Sequence, residues 1–193
     1  MPTTTPLIKV ERTKEQGAEV VLSGDVYDEA YEYALKLAEE RSLTFIHPFN
    51  DPILAAGQGS IAMEIVQELP LVDMILVPIG GGGLATGVST LAKMLNPRIS
   101  VIGVEPAGAA CMKASLEAGH VVKLPSVNTI ADGTAVLEPG DLIFPYIQEN
   151  IDDIITVEDD ELIVAFLDMV ENHKMIVENS GLLTVAALKH LCL

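Results

Sequence analysis

The sequence predicts an α/β fold with a mostly parallel sheet. One observation is the alternation of short, β-branched apolar runs with helical patterns along the whole chain. The other is residues 74–87, Met-Ile-Leu-Val-Pro-Ile-Gly-Gly-Gly-Gly-Leu-Ala-Thr-Gly. There a short apolar run stops at four consecutive glycines and a helical pattern takes over.

The remaining elements follow in order. Residues 6–16 read as a helix with proline near its first turn, and residues 19–23 (Glu-Val-Val-Leu-Ser) as a strand. Residues 25–41 form an amphipathic helix, with Tyr27, Ala30, Tyr31, Ala34, Leu37 and Ala38 on one face. Residues 43–47 read as a strand, followed by the rigid loop His47-Pro48-Phe49-Asn50-Asp51-Pro52. Residues 53–69 are helical. After the glycines come a helix to Leu95 closed by Asn96-Pro97, a strand over 99–104 and a short helix over 109–117 stopped by Gly119. Residues 129–136 form a small-residue loop. Residues 141–150 are helical and 154–157 a strand. Glu158, Asp159, Asp160 and Glu161 open a helix whose dipole they complement. Its expected inner face is Leu162, Phe166, Met169, Val170 and His173. A final apolar helix spans 180–191.

With 193 residues, 49% hydrophobic and 20% charged, the chain can bury one ordinary core, or one domain and part of another. Its charges are spread along the chain, which argues against disorder. Eleven Lys and Arg face 28 acids, a net charge of −17, with no basic cluster. A nucleic-acid backbone would be repelled, and no nucleic-acid partner is expected. No apolar run reaches the ~18 residues of a membrane span, and the opening Met-Pro-Thr-Thr-Thr-Pro is not a secretory signal. Cys111 and Cys192 read as free thiols in a reducing cytoplasm.

The four glycines carry the chemistry. They let several N–H groups converge at the positive end of the following helix, a ready site for an anion and above all for phosphate. A glycine-rich turn without a ligand is the plainer reading. Against it stands the entropy cost of each glycine, about 0.5–1 kcal/mol relative to alanine in regular elements. A nucleoside-triphosphate loop requires Gly-Lys-Ser/Thr after the glycines, and Leu84-Ala85-Thr86 stands there instead. A dinucleotide fingerprint is met by Gly80, Gly82 and Ala85, with Glu105 as the ribose acid at the end of the next strand. A run of glycines satisfies almost any glycine spacing, however, and at least two strands are expected before it.

The surrounding words discriminate better. Gly-Gly-Gly-Gly-Leu-Ala-Thr-Gly follows His-Pro-Phe-Asn-Asp-Pro and Gly-Gln-Gly-Ser, and precedes Val-Glu-Pro and Thr-Ile-Ala-Asp-Gly. Thr-Thr-Thr-Pro-Leu-Ile-Lys-Val stands near the start and Val-Glu-Asn-Ser-Gly-Leu near the end. In this order, over essentially the whole chain, the series resembles the threonine/serine dehydratases. These belong to the tryptophan-synthase-β-like (fold type II) pyridoxal-phosphate enzymes, and the short biodegradative threonine ammonia-lyases are the nearest in pattern. The resemblance implies a three-layer α/β fold, with residues 1–50 as part of a small domain and 51–193 as most of the large cofactor domain. It implies that Gly80, Gly81, Gly82, Gly83 and Leu84 hold the phosphate of pyridoxal 5'-phosphate. It further implies that Gly133 lies near the ring and that Glu178 approaches the cofactor's polar edge. The family's reaction deaminates L-threonine to 2-oxobutyrate and ammonia. An amino-acid substrate, a homo-oligomer and a cytoplasmic, catabolic setting come with the resemblance.

Three family words are absent from this sequence. They are the Ser-x-Lys-x-Arg word with the Schiff-base lysine, the Ser-x-Gly-Asn-His word at the ring and substrate carboxylate, and the Ser-Gly-Gly-Asn word at the pyridine nitrogen. The chain thus resembles the middle of a dehydratase. The expectation is a fragment without dehydratase activity of its own that recognises the phosphate end of the cofactor. No catalytic residue and no metal ligand is assigned. Two readings stay open beside it: a nucleotide-cofactor dehydrogenase domain, and a non-catalytic truncated fragment that binds anions or partners. With part of the small domain's sheet absent, residues 19–23 and 43–47 are expected to pair differently or with another copy.

Glu105, the Ala109 carbonyl and Cys111 also match the positions of a divalent-cation site in serine racemase relatives. A thiol is a poor ligand for a hard cation, so a turn cap at Glu105 and a packed Cys111 are expected. His47 and His173 read as packed or capping side chains, and the acids at 152–161 as solvated charge.

Overall fold

The computed structural model describes residues 1–25 and 27–191; Cys192, expected as a free thiol, lies outside them. Its helices are α1 (Leu7–Glu15), α2 (Tyr27–Glu40), α3 (Pro52–Glu68), α4 (Gly83–Leu95), α5 (Cys111–Ala118), α6 (Phe144–Asn150), α7 (Asp159–Glu171) and α8 (Asn179–Ala187). The strands are β1 (Met74–Pro78), β2 (Ser100–Pro106) and β3 (Asp153–Val157), all parallel in the order β1-β2-β3. Two compact units are present, Met1–Ile46 and His47–Leu193.

The second unit is an α/β sandwich of three layers. Side chains alternate along each strand, so each strand feeds two cores. Ile75, Val77, Val101 and Ile154 point into one, closed by α3, α4 and α6 through Ala55, Ala62, Val88, Ala92 and Ile147. Val104 and Val157 point into the other, closed by α7 and α8 through Leu162, Ala165, Leu182 and Leu183. A central strand covered on both faces accounts for the apolar run over residues 101–104 within β2 and for the burial of every β2 residue after Ser100. Three helix starts have a cap that the sequence supplies. Asp51 accepts the Ile53 N–H at 2.8 Å and Pro52 supplies the fixed φ at the start of α3. Glu158 and Glu161 form a reciprocal capping box on α7. Glu105 caps α5.

The first unit departs from expectation. Residues 19–23 and 43–47 are not strands. A strand exists only where a neighbour takes its N–H and C=O groups. Here the Met1 ammonium donates to the Val21 carbonyl at 2.9 Å, and the Ser23 N–H to the Met1 carbonyl at 3.0 Å. The Leu43 N–H turns back to the Ala38 carbonyl at 2.8 Å and closes α2, with Ser42 at φ +53°. The expected α2 face is present, with Ala30 buried and Tyr31 in edge contact with Phe45 at 5.5 Å.

On α7 the inner face is Leu162 and Ala165, with Met169 packed beside them. Phe166 is 37% exposed and His173 lies beyond the helix end. At 3.6 residues per turn Leu162, Ala165 and Met169 line one narrow stripe, and Phe166, although four residues after Leu162, stands on its flank. The last helix stops at Ala187 and passes into a single tighter turn, Leu188–His190. No described helix is long and apolar enough to cross a membrane.

Candidate functional site

The parallel sheet delivers β1 to the tetraglycine at its carboxyl end, where α4 begins. Ile79 is the last ladder residue, its N–H donating to the Val104 carbonyl at 2.8 Å. Gly82 then takes φ +103°, open to glycine and strained for any other residue. Its neighbours leave no room either, since a Cβ there would lie 2.5 Å from Ile143 Cδ1. A Cβ on Gly81 would strike the Phe49 ring.

The carbonyls of the loop are all held. The Gly80 carbonyl faces the Cys111 thiol at 4.0 Å, the Gly81 carbonyl accepts the Gly140 N–H at 3.0 Å, and the Gly82 carbonyl accepts the Thr86 N–H at 2.9 Å. A trans peptide points its N–H opposite to its C=O. Tying these three carbonyls to protein therefore turns the N–H groups of Gly81, Gly82 and Gly83 the other way. Among the described residues, none accepts a hydrogen bond from the N–H groups of residues 80–85. They form a cradle of donors at the positive end of α4. A buried N–H without a partner is costly, and an anion removes that cost.

Gly133 and Glu178 border the same loop. A Cβ on Gly80 would lie 3.1 Å from Thr134 Cα, and one on Gly133 would lie 2.9 Å from Ser180 Oγ and 3.5 Å from Glu178 Oε1. Thr134 Oγ1 meets Ser180 Oγ at 3.4 Å and donates to the Ala131 carbonyl at 3.1 Å. Thus Gly80–Gly83, Leu84, Gly133 and Glu178, up to 98 positions apart, converge on one region.

Behind the cradle stands the loop 47–51. His47 Nδ1 accepts the N–H groups of Asn50 at 2.8 Å and Phe49 at 3.2 Å, and its ring meets the Phe49 ring edge-on at 4.7 Å. Burial holds the imidazole below its ordinary pKa against the pull of Asp51 and Asp141, which favours Nδ1 as an acceptor. Asn50 bridges to residues 141 and 142. The sequence marked 47–52 as a rigid loop but carried no sign of this bridge, because its partners lie 91 and 92 positions away.

Glu105 is wholly buried, and its carboxylate accepts the N–H groups of Met112 and Lys113 at 2.8 Å each. An acid committed in this way to α5 is not presented to a ribose, so the dinucleotide reading loses its anchor. The Cys111 thiol is pushed up to about 12 by burial and by the charge of Glu105; it packs as a neutral group. Among the described residues, no three His, Cys, Asp or Glu side chains are grouped to hold a metal ion.

The family of pyridoxal-phosphate dependent enzymes matches the chain over residues 1–193. The chain belongs to this family. It is 46% identical to an L-threonine ammonia-lyase of Geobacter sulfurreducens over 188 residues, which cover 97% of this chain and 47% of that relative. It is 45% identical to the L-threonine dehydratase biosynthetic IlvA of Escherichia coli, covering 98% of this chain and 37% of that protein. Among solved structures, threonine deaminase isoform 2 from Solanum lycopersicum superposes with a TM-score of 0.91 at 44% identity, over 96% of this chain and 54% of the other. Maize serine racemase superposes with a TM-score of 0.92 at 37% identity, over 96% and 56%. The chain spans about half the length of the curated relatives it matches, or less. Pyridoxal phosphate is the family's cofactor, and a cradle of partnerless N–H groups at a helix start fits its phosphate end.

Proposed function

We propose that these 193 residues are part of a threonine/serine dehydratase and supply its cofactor-phosphate site. The observation that carries this is the set of N–H groups at residues 80–85 without partners, in a chain collinear with threonine ammonia-lyases. In this reading the N–H groups of Gly80, Gly81, Gly82, Gly83 and Leu84 donate to the phosphate oxygens. Gly133 leaves room for the ring and Glu178 stands at the cofactor's polar edge. Residues 1–50 belong to the small domain and 51–193 to the large one.

Bound pyridoxal phosphate supplies an electron sink for the carbanion formed at the amino acid's α-carbon. The chain's own residues orient that group by its phosphate and exclude water behind it through Phe49, Ile143 and Met112. A Ser-x-Lys-x-Arg word is absent from the 193 residues, so the chain recognises the phosphate end and does not turn over threonine unaided. The proposed reaction of the whole protein is deamination of L-threonine to 2-oxobutyrate and ammonia, in the cytoplasm and as a homo-oligomer.

Titration calorimetry of the chain tests the site. Pyridoxal 5'-phosphate is expected to bind and inorganic phosphate to compete with it, while pyridoxal and NAD bind far more weakly. Equal binding of pyridoxal, or indifference to phosphate, would remove the proposed role of residues 80–84.

A further inference from the structure

We propose that Asn50 is a positioning residue for the phosphate cradle, acting through Gly140 on the peptide plane between Gly81 and Gly82. This rests on the reading of residues 80–84 as an anion site. The Asn50 side chain uses both of its ends. Nδ2 donates to Asp141 Oδ1 at 2.7 Å, and Oδ1 accepts the Leu142 N–H at 2.9 Å. Its own N–H is held by His47 Nδ1 at 2.8 Å. Loop 47–51 is thereby fastened to the turn at 140–142. Gly140 sits inside that fastening, and a Cβ there would lie 2.5 Å from Asn50 Oδ1. The Gly140 N–H donates to the Gly81 carbonyl at 3.0 Å.

That last bond sets the cradle. The Gly81 carbonyl and the Gly82 N–H share one rigid plane and point in opposite directions. Whatever aims the carbonyl at Gly140 aims the N–H at the anion. Three consecutive glycines around this plane offer no side chains of their own to hold it. The orientation therefore has to be imposed from outside, and the Asn50 bridge is what anchors the turn that imposes it. Asn50 Nδ2 and Oδ1 are both engaged within the protein by this bridge.

The test uses the full chain, with inorganic phosphate as the probe. Asn50→Asp puts a carboxylate against Asp141, removes the donor and loosens the turn. Phosphate affinity is expected to fall about tenfold, the equivalent of one well-placed charge-assisted hydrogen bond. The Gly82 amide resonance is expected to shift as well. Adding Asp141→Asn to Asn50→Asp restores the bridge with donor and acceptor exchanged, and affinity is expected to return to within about threefold of the unmodified chain, a difference of less than 1 kcal/mol. A purely structural role would lower the unfolding midpoint of Asn50→Asp and leave affinity and the Gly82 resonance unmoved. That outcome, or a double variant that fails to regain affinity, would overturn the inference. Should the unmodified chain bind no phosphate at all, the anion-site reading fails. The Gly82 resonance then still decides the positioning role, and an unchanged resonance in Asn50→Asp refutes it.

Discussion

The Glu105 carboxylate accepts the Met112 N–H at 2.8 Å with no part of Glu105 exposed to solvent. The Lys113 N–H joins it at the same distance. Burial raises this carboxyl, the two N–H bonds and the Lys113 charge offset only part of that rise, and it is left at about 7. Between its ordinary value and 7, the folded chain holds a proton that the unfolded chain releases. For this group, stability falls as pH rises through that window and is level above it. Glu105→Gln keeps an acceptor and has no such slope. Urea unfolding from pH 4.5 to 7.5 should show the difference between variant and parent moving in favour of Glu105→Gln by about 3 kcal/mol. A difference that stays flat would mean that the carboxylate is fully compensated by its bonds.

An ion pair ties the end of α4 to the residues that lead into β2 and β3. Lys93 Nζ meets Asp152 Oδ2 at 2.6 Å and also donates to the Ile99 carbonyl at 2.8 Å, while Asp152 accepts the Val101 N–H at 2.7 Å. Burial pushes the Asp152 carboxyl up, but the Lys93 and Val101 bonds outweigh it and hold it below its ordinary value. Its contribution is therefore present above the unfolded value and is lost as pH falls through the folded one. Lys93→Met should cost about 1–2 kcal/mol at pH 7, between an exposed pair and a buried one. Denaturation repeated at a pH low enough to protonate Asp152 in the folded chain should find that cost diminished.

Gly81 and Phe49 are packed so closely that only a glycine fits against the ring. Gly81→Ala should lose about 1–3 kcal/mol to overpacking. In a Phe49→Ala background the same substitution should cost less than half as much, because the colliding ring is gone. Chemical denaturation of the four species gives the coupling directly. Additivity of the two changes would contradict the packing.

Two helical glycines should respond in opposite directions. At Gly87 a Cβ would collide with the Ala55 carbonyl oxygen, where α4 crosses α3, whereas at Gly57 nothing lies within 4 Å. Gly87→Ala is expected to destabilise by about 2–4 kcal/mol, at or beyond the upper end of overpacking because backbone must move. Gly57→Ala is expected to stabilise by about 0.5–1 kcal/mol through helix propensity. Thermal unfolding midpoints rank the two variants.

The chain's own order of residues determined the alternating elements, the break at residues 80–83 and the family words around it. These are local signals: strand and helix periods, caps and glycine runs act over a few residues. The amphipathic face of α2 was equally legible. Tertiary structure decided the rest. Residues 19–23 have strand composition, but without a neighbour to accept their ladder bonds they turn to the first residues of the chain instead. Phe166 has core chemistry but falls off the stripe that α7 turns to the sheet. Glu105, at a position open to ribose, metal or cap, became a cap because β2 ends beneath the first turn of α5. The bridge from Asn50 to the turn beside Gly81 joins residues about ninety positions apart. No pattern within one element encodes such a contact; it exists only once the sheet has brought both loops to one end.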